Sequence, residues 1–217
     1  MKISWYGQSC FKFSIKSNGG NKIVVFTDPF TKKVGLNPPR GNADIVTISH
    51  GHAEHGNVKS LSGNPFCVEG PGEYDVRGIF IKGIHSFHDD KKGKERGTNT
   101  IYVLDGEEMK VCHLGDFGQS ELANDQLNQI GDVDVLMIPV GGTYTINGSE
   151  AVKIINQLEP QIVIPMHFKV SKLKTKLNTV DKFLEEIGTE KEVKEEVSIQ
   201  RKDLTEGDMK VIVMKPA

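Results

Sequence analysis

Residues 43–57 of the chain read ADIVTISHGHAEHGN. The first half is a short apolar run rich in β-branched residues, the pattern of a buried strand. The second half places three imidazoles and one carboxylate, those of His50, His52, Glu54 and His55, within six residues. His50 and His52 lie two apart, so on an extended segment they point to the same side, whereas Glu54 and His55 fall further round the turn and can face a second point. Imidazole with carboxylate is a ligand set for zinc, iron or manganese, and the C-terminal end of a buried strand is where a rigid scaffold presents such ligands.

KISWY, FKFSI and KIVVFTD precede this strand, and FCVEG, GIFIKGI, TIYVLD, MKVCHLGD, VDVLMIPV, QIVIPM and MKVIVMK follow it, set off by Gly, Pro and Asn. Helical periodicity comes later, over 120–130 (Leu122, Leu127, Ile130), 149–158 (Val152, Ile154, Ile155, Leu158) and 179–187 (Val180, Phe183, Leu184, Ile187). Ser149 and Thr179 are the candidate N-caps of the last two. Strands first, then strands alternating with helices, predict layered α/β architecture rather than a sandwich of sheets alone. The charged stretch 188–208 reads as a solvated helix or loop before the last strand. With 217 residues and 37% hydrophobic content the chain can close one substantial core, so a single domain over 1–217 is expected.

The 27 basic and 29 acidic side chains nearly cancel, leaving a formal charge of −2, which argues against holding nucleic acid by bulk electrostatics. The opening MKISWYGQSCFKFSI alternates polar and apolar residues and lacks the apolar stretch and cleavage site of a signal peptide. The longest apolar runs fall far short of the roughly 20 residues that span a bilayer. A cytoplasmic protein acting on a small molecule, without nucleic-acid or membrane partners, is therefore expected; oligomeric state is not legible. Cys10, Cys67 and Cys112 are widely separated and form no CxxC pair, so they read as buried free thiols rather than a disulfide framework or thiolate zinc site.

Further chemistry-bearing segments follow the histidine run: SFHDD with His88, RGTNT at 96–100, HLGD with His113 and Asp116, GGTYTI at 141–146, and PMHF with His167. Upstream lie GQSCF at 7–11 and FTDP with Asp28. In this order, over roughly residues 1–170, the segments resemble the metallo-β-lactamase superfamily, whose signature is HxHxDH. Within it they resemble the small single-domain Zn-dependent hydrolases, the ascorbate-6-phosphate lactonase-like subgroup.

The resemblance implies an αββα sandwich, two mixed β-sheets face to face with helices outside and a metal site along one edge. It implies two divalent transition-metal ions, zinc before manganese or iron. Carried over by position, one ion would be held by His50, His52 and a third histidine, the other by Glu54, His55 and His167, with Asp116 bridging. His85 and His88 compete for the third place; SFHD followed by RGTN favours His88 and leaves His85 near the site or structural. His113 is expected to hydrogen-bond beside the site rather than to ligate. Asp28 either accepts the ring N–H of a metal-bound histidine or forms a turn before Pro29. Two positions depart from the pattern: Glu54 stands where the family has aspartate, and Gln8 where the subgroup has histidine. The extra methylene of Glu54 puts the second metal position in question.

No serine, cysteine or lysine sits in a nucleophile motif, so water is the expected nucleophile. A bound zinc lowers the pKa of water to about 7, and two ions roughly 3.5–4 Å apart also polarise the substrate. Asp116 and Glu54 are the catalytic candidates, although HAEH lacks the helical HExxH spacing that marks a glutamate base. Arg96 and Lys169 are candidates to meet an anionic substrate, and Tyr144 to line its pocket. A lactone or phosphate ester is the expected substrate class; the alternative is a degenerate family member that binds metal or ligand without turnover.

Overall fold

The computed structural model describes residues 1–17, 19–52, 55–204 and 209–217. Strands β1 (Lys2–Gly7), β2 (Cys10–Lys16), β3 (Lys22–Thr27), β4 (Ile45–Ile48), β5 (Phe66–Glu69) and β13 (Glu196–Ser198) form one sheet in the order β13-β1-β2-β3-β4-β5. The second sheet contains β6 (Gly72–Val76), β7 (Ile79–Phe87), β8 (Thr98–Gly106), β9 (Met109–His113), β10 (Val135–Pro139), β11 (Ile162–Met166), β12 (Lys191–Lys194) and β14 (Lys210–Met214). Its order is β12-β14-β11-β10-β9-β8-β7-β6. Both sheets are mixed, and the two-sheet α/β sandwich is the architecture expected from the resemblance.

Alternation along the strands builds the core. Ile3, Trp5, Phe11, Phe13, Val25 and Ile45 of the first sheet belong to one buried cluster with Ile81, Ile101, Val111 and Val135 of the second. The intervening residues Cys10, Phe26 and Val46 join a smaller cluster with Phe30, Val34 and Leu173. Each such fully buried side chain contributes about 1.5–3 kcal/mol of transfer free energy. Helices α1 (Asn124–Ile130) and α2 (Gly148–Leu158) pack on β7 and β10 of the second sheet, and α3 (Val180–Ile187) packs on α2.

The structure departs from the sequence pattern at three places. The cap of α2 is Asn147, not Ser149: Asn147 Oδ1 accepts the Glu150 N–H at 3.1 Å, and the Glu150 carboxylate accepts the Asn147 N–H at 2.8 Å. That reciprocal box outcompetes a lone hydroxyl inside the first turn. Residues 188–208 are not simply helix or loop, because β12 pairs parallel with β14 and β13 pairs antiparallel with β1. Cys67 is exposed on β5, whereas Cys10 and Cys112 are buried.

Strand direction places the site. β1 and β3 are both antiparallel to β2 and so run the same way, and β4 is parallel to β3. β7 and β9 are both antiparallel to β8, and β10 and β11 run parallel to β9. The C-terminal ends of β1, β3 and β4 therefore share one sheet edge, and those of β7, β9, β10 and β11 share another. The two edges are tied together: the Tyr102 hydroxyl on β8 donates to the Ile48 carbonyl at 2.8 Å and accepts the Gly70 N–H at 2.9 Å. Beside it the Thr100 N–H donates to the Ser49 carbonyl at 2.7 Å.

Candidate metal centre

The site residues lie just past these strand ends: Gln8 and Ser9 after β1, Asp28 after β3, His50 after β4, His88 after β7, Asp116 after β9 and His167 after β11. All are buried, as is His55, while His52 is exposed. One carboxylate oxygen is central. Asp116 Oδ2 lies 3.2 Å from His167 Nε2, 3.5 Å from His55 Nε2, 3.5 Å from His88 Nε2 and 3.9 Å from His50 Nε2. Ligand atoms of His50, His52 and His88 fall within 4.8 Å of one another, as do those of His50, His55 and Asp116. His50 Nε2 is buried with no hydrogen-bond partner among the described residues. Such an orphaned polar atom costs about 1–3 kcal/mol, which coordination of a cation would recover. The donor set therefore fits a divalent ion.

Electrostatics agree with that use. Burial pulls the His50 imidazole down to about 2, and holds His55 and His88 below their ordinary value; the Asp116 charge opposes this, and neighbouring imidazoles add to it. The rings are thus neutral near pH 7, the form that ligates. Burial would raise the Asp116 carboxyl, but the facing His167, His55 and His50 outweigh it and hold it well below the usual carboxylate range.

A second layer of bonds aims these groups. The Ser9 hydroxyl donates to Asp116 Oδ1 at 2.5 Å, leaving Oδ2 to face the histidines, and Asn99 Oδ1 accepts the Asp116 N–H at 3.0 Å. His50 Nδ1–H donates to Ser49 Oγ at 2.9 Å, and that hydroxyl donates to Asp28 Oδ2 at 2.7 Å, while Asp28 Oδ1 accepts the Ser49 N–H at 2.7 Å. Asp28 therefore acts on His50 through Ser49, and not by the direct bond that is one of its two sequence readings. The chain fixes the proton on Nδ1 and frees Nε2.

Backbone geometry adds its own constraints. A Cβ on Gly118 would meet the His88 carbonyl carbon at 2.4 Å, and one on Gly141 would meet the His167 carbonyl oxygen at 2.0 Å. His167, Asp28 and Gln8 adopt left-handed φ of 52°, 40° and 51°, a strain of about 1–3 kcal/mol each that the surrounding packing must hold.

The remaining predicted residues separate. His85 is exposed on β7 with its ring 4.8 Å from that of Phe87, away from the cluster that holds His88. His113 donates from Nε2 to the Ser9 carbonyl at 2.8 Å, and burial pulls it down to about 4. Glu54 lies outside the described residues. The cluster opens into a cavity of about 730 Å³ whose lining includes His52, His55, His88, Asp116 and His167, and also Gln8, Arg96 and Tyr144. Arg96 stacks 4.7 Å over the Tyr144 ring. Lys169 is not in that lining; its ammonium is turned to the carbonyls of Leu173 and Thr175, so it braces a loop instead of meeting a ligand. Ser9 and Asn99 stand inside the GQSCF and RGTNT segments without any local mark of their roles, and a hydroxyl directly preceding His50 is the sequence signal for Ser49.

A two-sheet α/β sandwich with a buried histidine–aspartate cluster at the C-terminal ends of its strands defines a class of metal-site protein. Residues 2–167 match the beta-lactamase superfamily domain, and the chain belongs to that superfamily. It is 26% identical over 199 aligned positions to a metal-dependent hydrolase of Methanopyrus kandleri, covering 77% of this chain and 84% of that one. It is 27% identical over 220 positions to a metal-dependent hydrolase of Methanocaldococcus jannaschii, covering 87% and 94%. A solved Thermotoga maritima structure, whose name assigns it to the Zn-dependent hydrolases of the metallo-β-lactamase superfamily, matches with a TM-score of 0.80 at 36% identity over 98% of both chains. A metallo hydrolase of Ignicoccus hospitalis shares the fold, with a TM-score of 0.63 at 19% identity over 99% of this chain and 95% of that one.

Proposed function

We propose that the chain is a dinuclear metal-dependent hydrolase cleaving an ester-type bond, of the lactone or phosphate-ester class, in a small molecule. The observation that carries this reading is Asp116 Oδ2 set among four imidazole Nε2 atoms at 3.2 to 3.9 Å. His50, His52 and His88 would hold one ion, His55 and His167 the other, with Asp116 between them and Glu54 contributing as the family pattern implies. Bound divalent ions, zinc in the first instance, acidify water and polarise the group under attack.

The chain's own residues supply orientation. Ser9 holds Asp116 so that Oδ2 alone faces the site, charged and directed at the positions the ions would take. Asp28 and Ser49 hold the His50 tautomer. The cavity volume is in the range of about 300–1,000 Å³ typical of small-molecule sites, which supports a small substrate. Relatives named as metal-dependent hydrolases support the reaction class.

A second reading, metal or ligand binding without turnover, is favoured by one feature: Gln8 replaces the histidine of the subgroup pattern, and its Oε1 is buried without a partner among the described residues. Turnover of chromogenic lactones and phosphodiesters by metal-loaded protein separates the two. The hydrolase reading expects activity that falls at least about 100-fold in Asp116→Asn with the fold retained. Equal activity in the variant would remove Asp116 from the reaction, and fully loaded protein without turnover of any substrate would favour the second reading.

A further inference from the structure

The cavity that exposes the histidine cluster also gathers four cations that the metal chemistry does not use. Lys33 comes from the 3-10 turn Lys32–Val34, Arg96 from the connection between β7 and β8, and Lys174 and Lys176 from the loop after β11. Among the described residues, Asp116 is the one carboxylate in that lining, and none of the four cations is ion-paired. In a chain of formal charge −2 this is a local reversal of sign.

Two of the supporting segments are built rather than loose. The buried Asp89 carboxylate accepts backbone N–H bonds from Lys91 and Gly93 at 2.8 Å, Glu95 at 3.0 Å and Arg96 at 2.7 Å. One side chain thereby knots the loop that begins at His88 and ends at Arg96, and the Arg96 guanidinium rests half-buried over Tyr144. On the other segment the Lys174 N–H donates to the Val34 carbonyl at 2.9 Å, fixing that loop beside the turn that carries Lys33. The Arg96 guanidinium, held over Tyr144 before binding, loses less freedom when it binds, and guanidinium suits carboxylate or phosphate equally.

We infer that the substrate carries, besides the bond to be cleaved, a separate anionic group, carboxylate or phosphate, that docks on Arg96 and on Lys33, Lys174 and Lys176. This subsite rests on the hydrolytic reading of the centre and narrows it to substrates with a charged end remote from the reacting one. Such a group aligns the scissile bond by a contact common to ground and transition states, and so acts chiefly on KM.

The test is calorimetric titration of zinc-loaded protein with valerate, glutarate and 4-phosphonobutyrate. All three offer one carboxylate to the metals, and the last two add a remote anion of each kind. Glutarate or 4-phosphonobutyrate should bind about tenfold more tightly than valerate, and the better of the two identifies the anion. In Arg96→Gln, and in the Lys174→Gln/Lys176→Gln pair, that preference should fall toward unity with valerate affinity and zinc content unchanged. Equal affinity for all three ligands in the wild type, or a preference that survives both variants, overturns the subsite. Protein that takes up no zinc overturns the hydrolytic reading instead, and the same preference measured on metal-free protein then decides the subsite alone.

Discussion

Ser49→Ala removes one oxygen that makes two buried bonds, accepting from His50 Nδ1 at 2.9 Å and donating to Asp28 Oδ2 at 2.7 Å. The bond from the Ser49 N–H to Asp28 Oδ1 survives. A hydrogen bond to a charged group contributes about 1.5–3 kcal/mol, and the orphaned Nδ1–H adds a cost of about 1–3 kcal/mol. Burial already pushes the Asp28 carboxyl up, Ser49 pulls it back with two donors, and the Asp116 charge pushes it up again. Without the hydroxyl Asp28 takes up a proton more readily, which relieves part of the loss. A net destabilisation of about 2–4 kcal/mol follows, or a Tm lower by roughly 4–16 °C for a chain of this size. Loss of an orienting partner lowers metal affinity by about 10–100-fold. Thermal melts of metal-free protein and chelator-competition titrations read the two effects separately. A variant that binds metal within about twofold of wild type and melts at the same temperature would show that His50 is not held through Ser49.

Gly141→Ala puts a Cβ 2.0 Å from the His167 carbonyl oxygen, where backbone must give; a cost of at least about 1–3 kcal/mol and weaker metal uptake are expected, and wild-type uptake would refute the close approach. Because burial lowers His113 to about 4, from an unfolded value near 6.5, the unfolded state alone takes up its proton in that interval. The contribution, about 3 kcal/mol, is present above pH 6.5 and lost as pH falls toward 4. His113→Gln keeps a donor for the Ser9 carbonyl but does not titrate, so chelated protein carrying it should show a correspondingly flatter acid limb in denaturant titrations; an unchanged limb would place the titration elsewhere.

Much of the scaffold was legible because burial wrote itself into the pattern. β1 and β2 alternate along their length, and β10 and β11, buried on both faces, read as continuous apolar runs. The edge strands β12 and β13 were not legible. β12 buries no residue and β13 buries Val197 alone, so their charged sequence looks like that of a solvated segment. Asn147 was readable in principle, standing three residues before Glu150, but Ser149 lay closer to the first periodic apolar residue. His50, His52 and His55 announced themselves by adjacency. The residues that aim the site did not, because a hydroxyl bond such as that from Ser9 to Asp116 spans 107 positions and leaves no local periodicity.

Elemental analysis of protein purified without chelator, run beside His88→Ala and His85→Ala, bears most directly on the edge cluster. Wild type and His85→Ala should each carry about two equivalents of divalent transition metal per chain, and His88→Ala about one. Wild type with about one equivalent or less, or equal metal loss in the two variants, would contradict a dinuclear centre built on His50, His52, His88, His55, His167 and Asp116.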